Sequence, residues 1–397
     1  MKILMLTPYL PYPLYSGGQI RTYNLLKNLA QKHEITLFSL IKTKEERKYI
    51  SELEKFCRKV EVFKRSERPW TLKNILRTGF GFYPFLVVRN LSSEEKRAVA
   101  KKLKEEKFDL IHAETFYVMP NIPQTSVPIL LVEQTIEFLV YQHFVETTSP
   151  LLRFFLSVDV LKIKFWEKHF WKKANKVVAM SEADNKIMRR EVSNLDVAII
   201  PNGVDIDFFS KVKREKGEER VLFVGNFKWL QNKEAVGVLV EKVWPKVIQK
   251  IKGASLSIVG RYPTPKIKSY AGKSITILEN VKDIRKAYQA ADLLLAPIFG
   301  PGGTRYKILE AMAAGLPVVT TPWGIEGLGA RDGWEVIIRE DPSGLAEAVV
   351  KILTDRVLYQ KLAKAGKKFV EENYNWRIIS SKLDRLYEEV SIKKPEL

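Results

Sequence analysis

Arg305, Lys307 and Glu310 follow directly behind Gly300-Pro301-Gly302-Gly303-Thr304. Glycines leave backbone N–H groups unshielded, and two cations beside bare amides suit an anion such as a phosphate. A carboxylate next to a diphosphate site can accept hydrogen bonds from sugar hydroxyls. The plain alternative is a solvated Lys307/Glu310 ion pair one turn apart. The surrounding elements favour the first reading. An apolar run over 293–296 predicts a buried strand, 304–314 predicts a helix, Gly315 and Pro317 stop it, and 318–320 predicts the next strand. Strand, glycine loop, helix and strand place a helix N-terminus, with its positive dipole end, at the carboxyl edge of a parallel sheet. At about 100° per residue, Lys307, Glu310 and Ala314 share one helix face, while Ile308, Leu309 and Met312 share the face that packs on the sheet.

A second glycine pair, Gly17-Gly18, lies between a strand over 2–7 and a helix over 19–31. It is either a plain β–α turn or a second wall of amides near the same anion. His112 and Glu114 end a strand over 108–113. His112 is either a satisfied core histidine or a group reaching a cleft, and Glu114 is a candidate proton acceptor. Glu133 and Glu137 follow a strand over 128–132 and carry the same two readings.

The rest of the chain supplies the frame. Strands over 34–40, 60–63, 176–180 and 197–201 alternate with helices over 44–56, 92–107 (Ser92 and Glu95 forming a capping box) and 181–191. After a charged stretch at 211–220 the pattern restarts. Strands at 221–224, 255–259 and 274–278 alternate with a helix over 233–251, broken near Pro245, and another over 283–291. Helices over 343–353, 358–372 and 376–390 close the chain. Alternation of this kind predicts an α/β protein with doubly wound parallel sheets. Two lobes of roughly 200 and 170 residues are expected, their glycine-rich carboxyl edges facing across a ligand cleft.

Composition narrows the class. The 397 residues carry a net charge of +20, split +11 over residues 1–200 and +9 over 201–397. An excess spread this evenly, without zinc-finger or RNA-binding signatures, argues against nucleic acid and for an anionic surface or anionic substrates. No apolar run is long enough to span a bilayer, and the N-terminus does not read as a signal peptide. The single Cys57 fits a reducing compartment, and four His with one Cys argue against structural zinc.

With these pieces in view, the sequence resembles the GT-B glycosyltransferases of family 4, the retaining group 1 glycosyl transferases. The resemblance covers nearly the whole chain. It is carried by Gly17-Gly18 with Arg21; Asp109-Leu110-Ile111-His112; Ser181-Glu182-Ala183-Asp184; Pro201-Asn202-Gly203-Val204-Asp205 with Phe208; Phe223-Val224-Gly225; Val281, Asp283 and Tyr288 before Ala291-Asp292; and Lys307-Ile308-Leu309-Glu310-Ala311 with Gly315-Leu316-Pro317-Val318-Val319. It implies a GT-B fold with an acceptor-side lobe (1–198), a donor-side lobe (199–374) and a C-terminal helix (375–397) returning to the first. It implies sugar transfer from a nucleoside diphosphate sugar, UDP or GDP before ADP, with retention of configuration and no metal or resident cofactor.

The resemblance also implies roles. Glu310 matches the second acid of the family's E-x7-E pattern and would bond the ribose. Gly303, Thr304, Arg305 and Lys307 would contact the diphosphate, with Gly17 and Gly18 covering it. Gly225, Asn226, Lys228, Arg261 and Leu309 would line the donor site, and Val281 and Ile284 would hold the base. Catalytic work would fall to His112, Glu114, Arg305 and Lys307. Three positions depart from the family. Gly302 stands where the first acid of E-x7-E falls, Asn226 where an Arg is usual, with Lys228 or Lys233 as substitutes, and Glu114 where many members have a second His.

Two aromatic stretches bear on the acceptor. Residues 151–176 hold seven Lys/Arg and two acids among Phe154, Phe155, Phe165, Trp166, Phe170 and Trp171. That composition suits an interfacial helix on an anionic leaflet; the alternative is a helix packed on the first lobe with a charged outer face. Residues 70–88 read as core or acceptor pocket. The expected partners are a nucleotide sugar and a glycan or lipid-linked acceptor of cell-envelope polysaccharide or glycolipid synthesis, and the expected place is the cytoplasm, either free or in peripheral contact with the inner face of the cytoplasmic membrane. Rival readings are another GT-B enzyme, such as a sugar-nucleotide epimerase or a phosphorylase, or a non-catalytic GT-B protein.

Overall fold

A computed structural model describes residues 1–211, 219–300 and 306–392. The chain forms two compact units, which meet at Pro201/Asn202 and again at Ile378/Ile379.

The first unit is built on a seven-stranded sheet: β1 (Lys2–Thr7), β2 (Glu34–Ile41), β3 (Lys59–Lys64), β4 (Leu110–Glu114), β5 (Ile129–Val132), β6 (Lys176–Ala179) and β7 (Val197–Ile199). Its order is β3-β2-β1-β4-β5-β6-β7, and every pair is parallel. Helices cover both faces, so β1 is buried throughout after Lys2 and reads as an unbroken apolar run rather than an alternation. The winding direction reverses between β1 and β4, and such a switch point is where open α/β sheets bind ligands.

The second unit repeats the plan with β8 (Arg220–Asn226), β9 (Ser255–Arg261), β10 (Ile275–Glu279), β11 (Leu293–Ala296), β12 (Val318–Thr320) and β13 (Ile337–Ile338), in the parallel order β10-β9-β8-β11-β12-β13. Its switch point lies between β8 and β11. The expected pair of Rossmann-like α/β units is therefore what the chain forms.

The last helix, Trp376–Ile392, lays Ile379, Leu383, Tyr387 and Val390 into the first unit, all buried. Asp384 there pairs with Lys32 (2.5 Å) and His33 (2.7 Å), and Glu389 with Lys176 (3.2 Å).

Several local expectations are corrected. The helix over 44–56 is a 3-10 turn, Lys44–Tyr49, running into a short α-helix, Ile50–Leu53. The break near Pro245 forms as expected, as a π-type turn at Leu239–Val243, which accommodates a proline that has no N–H to donate. Only half of the capping box forms. Ser92 Oγ accepts from Glu95 N (3.2 Å), but the Glu95 carboxylate turns to Asn121 Nδ2 (2.6 Å). Residues 70–82 put none of their apolar side chains in the core: Trp70, Phe80 and Phe82 are exposed, only Asn74 is buried, and continuous burial starts at Pro84.

Candidate active site

In the second unit the carboxyl ends of β8 and β9 pair Gly225 with Gly260 and Asn226 with Arg261. The fit is close. A Cβ on Gly260 would lie 1.8 Å from the Gly225 carbonyl oxygen and 2.8 Å from the Phe227 ring, so no other residue fits there. Asn226 shapes the turn. Its Oδ1 accepts from Lys228 N (3.0 Å), and its carbonyl accepts from Asn232 Nδ2 (2.9 Å). The Lys228 ammonium sits 3.7 Å over the Tyr262 ring, a cation–π contact that holds it at this edge.

Across the switch point, helix Tyr306–Ala313 follows β11. Ile308, Leu309 and Met312 are buried in the core as the face pattern predicts. The Leu309 side chain is therefore packing, and only its backbone could serve a ligand. The opposite face is not a solvated one. Lys307 is only 9% exposed; its Nζ donates to Asn232 Oδ1 at 2.7 Å and lies 4.2 Å over the Phe223 ring. Glu310 is partly buried, and its Oε2 accepts from the Tyr288 hydroxyl at 2.7 Å. Burial raises the Glu310 carboxyl above its usual range, against the Tyr288 bond and the Lys307 charge, which pull it down. Its second oxygen, Oε1, remains to accept from a ligand. Gly303, Thr304 and Arg305, with Gly302, lie outside the described residues.

Val281 and Ile284 are half-buried against the core beside this helix. Between them, Asp283 grips Arg285 (Oδ2 to NH2, 2.7 Å), and the guanidinium stacks 4.2 Å from the Phe208 ring. The triplet Asp205-Ile206-Asp207 has D-x-D spacing, yet its carboxylates are engaged. Asp205 caps helix Ile206–Phe209 through Phe208 N (2.9 Å), and Asp207 meets Arg377 at 3.2 Å.

In the first unit, Gly17 and Gly18 are the first residues of helix Gly17–Leu29 rather than a loop before it, with Ser16 as N-cap. A Cβ on Gly18 would lie 1.7 Å from Tyr9 Oη and 2.5 Å from Gln134 Oε1. The glycine is needed because a buried chain of hydrogen bonds runs under it. Tyr9 donates to Gln134 (3.3 Å), and Gln134 Nε2 donates to Glu114 Oε2 (2.7 Å). Glu114 Oε1 meets His112 Nε2 (3.1 Å), and His112 Nδ1 meets the Tyr387 hydroxyl (2.5 Å). His112 and Glu114 are both fully buried, so His112 takes the satisfied-core reading, and Glu114, expected to reach a cleft from the strand end, is enclosed instead. Burial works to raise the Glu114 carboxyl, but the His112 bond and charge, with Arg21 and Gln134, outweigh it and hold the carboxyl below its usual range. The pair is a positioning network under the first turn of the helix. Arg21, fully buried in that helix, donates to the Pro201 carbonyl (2.9 Å).

Glu133 is also not presented as a base, whereas Glu137 is half-buried at the start of helix Glu137–Glu146. Glu133 accepts from Trp171 Nε1 (3.0 Å) in the interior, and burial with the nearby Glu167 raises its carboxyl well above the usual range. Burial likewise pushes Glu137 up to about 7.

Sequence reading missed Asn232 as the partner of Lys307, and Gln134, Tyr9 and Tyr387 as the partners of Glu114 and His112. It quoted Tyr288 as a motif residue without assigning it to Glu310. The Tyr288 signal was its fixed place before Ala291-Asp292; the others are non-local and leave no local pattern.

Comparison with known proteins decides the family. A profile described as Glycosyltransferase Family 4 matches residues 15–208, and one described as Glycosyl transferases group 1 matches 218–355. The chain belongs to glycosyltransferase family 4. A phosphatidyl-myo-inositol mannosyltransferase of Mycobacterium leprae is 29% identical over 304 residues, covering 74% of this chain and 76% of that protein. Among solved structures, sucrose-phosphate synthase from Thermosynechococcus elongatus superposes with a TM-score of 0.72 at 18% identity, covering 98% of each chain. Anabaena HepE in complex with UDP superposes with a TM-score of 0.67 at 16% identity, covering 98% of this chain and 100% of that one. This glycosyltransferase therefore has the GT-B architecture, and its relatives include an enzyme named for a membrane lipid acceptor.

Proposed function

We propose that this glycosyltransferase moves a sugar from a nucleoside diphosphate sugar to a hydroxyl of a lipid-linked acceptor, retaining anomeric configuration and using no metal. The observation that carries the donor assignment is the arrangement of Lys307 and Glu310. Asn232 and the Phe223 ring hold the Lys307 ammonium in place. Tyr288 fixes Glu310 one turn further on, with one carboxylate oxygen left to take ribose hydroxyls.

Departure of the sugar leaves charge on the diphosphate. Lys307, Arg305 and the first amides of helix Tyr306–Ala313 would stabilise that charge as it develops, a contribution on the order of several kcal/mol from fixed donors in a dry site. Lys228, fixed over Tyr262, would add to it. Val281 and Ile284 would face the base, UDP or GDP before ADP. His112 and Glu114 would act by holding the first turn of helix Gly17–Leu29. The named acceptor of the mycobacterial relative and the UDP bound to HepE support this reading. We assign the work to the inner face of the cytoplasmic membrane.

The test is a thermal-shift panel of UDP-, GDP- and ADP-sugars, followed by transfer assays with EDTA and anomeric analysis of the product. One sugar nucleotide at 100 times its dissociation constant should stabilise the protein by about 2.7 kcal/mol, and transfer should survive EDTA with retention. No response to any sugar nucleotide would contradict the donor site. A strict Mg2+ or Mn2+ requirement would contradict metal independence.

A further inference from the structure

Two helices of the first unit turn an apolar stripe to the outside. Helix Leu72–Phe80 buries Asn74, whose Nδ2 donates to Ser66 Oγ (2.7 Å) and the Pro69 carbonyl (2.8 Å). Its apolar residues Leu72, Ile75, Leu76 and Phe80 form one stripe at i, i+3, i+4 and i+8, and all four are exposed, Phe80 by 90%. Helix Pro150–Lys173 does the same. It buries Glu167 together with Ile163, Phe170 and Trp171, while Phe154, Val158, Leu161 and Phe165 make a second, exposed apolar stripe at i, i+4, i+7 and i+11. The two are fastened together. Lys162 Nζ donates to the Thr78 (2.6 Å) and Gly81 (2.8 Å) carbonyls at the end of the first helix, and Trp166 Nε1 donates to the Phe82 carbonyl (2.8 Å).

Single exposed apolar residues are ordinary, but two fastened helices with whole apolar stripes outward mark a contact surface. Beside them opens a cavity of about 490 Å3 lined by Arg77, Phe82, Tyr83, Leu91 and Lys96. Its lining thus sets two cations beside apolar side chains, with Ser92, Ser93 and Asn121 as neutral polar groups. We infer that this cavity takes the anionic head of an amphiphile, while the two stripes lie in the acyl region of a single leaflet.

Charge selects a leaflet over a second copy of the chain. Lys73 and Arg77 flank the first stripe and Arg153 begins the second, so two such faces brought together would set cation against cation, whereas an anionic leaflet complements them. The inference rests on the lipid-linked acceptor proposed above and names where the head of that acceptor is held.

The experiment is flotation with phosphatidylcholine vesicles, with and without phosphatidylglycerol, beside calorimetry with dihexanoyl phosphatidylglycerol and with glycerol phosphate. Wild type should float best with anionic vesicles and should bind the short-chain lipid at least tenfold more tightly than glycerol phosphate. The double variant Ile75→Glu with Leu161→Glu should stop floating with either vesicle. Arg77→Ala with Lys96→Ala should lose at least tenfold of binding to anionic vesicles and to the short-chain lipid. All four positions are distant in sequence from the donor residues, and the donor-induced thermal shift of each variant reports folding and donor binding separately. A shift retained while flotation is unaffected by either double variant would overturn this inference and leave the donor reading standing. Equal binding of glycerol phosphate and the short-chain lipid would overturn it in favour of a soluble anion. A dimer that Ile75→Glu with Leu161→Glu makes monomeric would overturn it in favour of a second copy.

Discussion

Glu95 gives a prediction whose size follows from its surroundings. It is fully buried at the third position of helix Ser93–Glu105; Asn121 donates to its Oε2 at 2.6 Å, and its Oε1 has no partner. Burial pushes its carboxyl up to about 8 against that one bond. An unfolded chain would release the proton near pH 4.3, so between these values the folded state holds a proton that the unfolded state has lost. Stability is then complete at low pH and falls as pH rises toward 8, at most by about 1.4 kcal/mol per unit. Glu95→Gln keeps the shape and the bond from Asn121 but cannot ionise. Wild-type stability minus variant stability should therefore drop by about 4 kcal/mol between pH 5 and pH 8. Taking the difference cancels Glu133, Glu137 and Glu167, whose carboxyls are also raised. Urea unfolding followed by circular dichroism at several pH values measures it. A difference that stays flat across that range would refute the reasoning.

Three further outcomes are expected. Tyr288→Phe removes the hydroxyl that donates to Glu310; stability should fall by about 1–3 kcal/mol and donor KM should rise roughly tenfold, and unchanged donor kinetics would count against Glu310 as a ribose ligand. Gly260→Ala places a methyl group where the Gly225 carbonyl already is; the edge must move, costing about 3 kcal/mol or more, which a melting temperature equal to wild type would contradict. Lys162→Met takes the ammonium from the Thr78 and Gly81 carbonyls; limited proteolysis should then cut first within residues 72–82, and an unchanged cleavage pattern would show that Lys162 does not fasten the two helices.

Much of the frame was legible because buried parallel strands are unbroken apolar runs. β1 and β11 are such runs, and each ends at a proline signal, Pro8 and Pro297. β13, only Ile337–Ile338, is too short to show any period and exists through its pairing with β12. Helix Leu72–Phe80 has a readable apolar period, but period alone does not say whether the stripe meets protein or something else. Here Asn74 is the side that is pinned, so the expected core residues lie outside. The Lys307/Glu310 site was legible from the glycine run ahead of it. Its partners were not, because Asn232 lies 75 residues away and Tyr288 22 residues away. Glu114 was misjudged for a related reason: β4 is covered on both faces to its last residue, so ending the strand did not bring the side chain to a surface.

The central claim is that this edge of the second unit holds a nucleoside diphosphate through Lys307. The most direct measurement is calorimetric titration of wild type and Lys307→Met with whichever of UDP or GDP binds, and with the corresponding nucleoside. The account predicts that the substitution weakens the diphosphate by about 10- to 100-fold, the worth of one charge-assisted contact of about 1.5–3 kcal/mol, and leaves the nucleoside unchanged. Equal diphosphate affinity in the two proteins would contradict it.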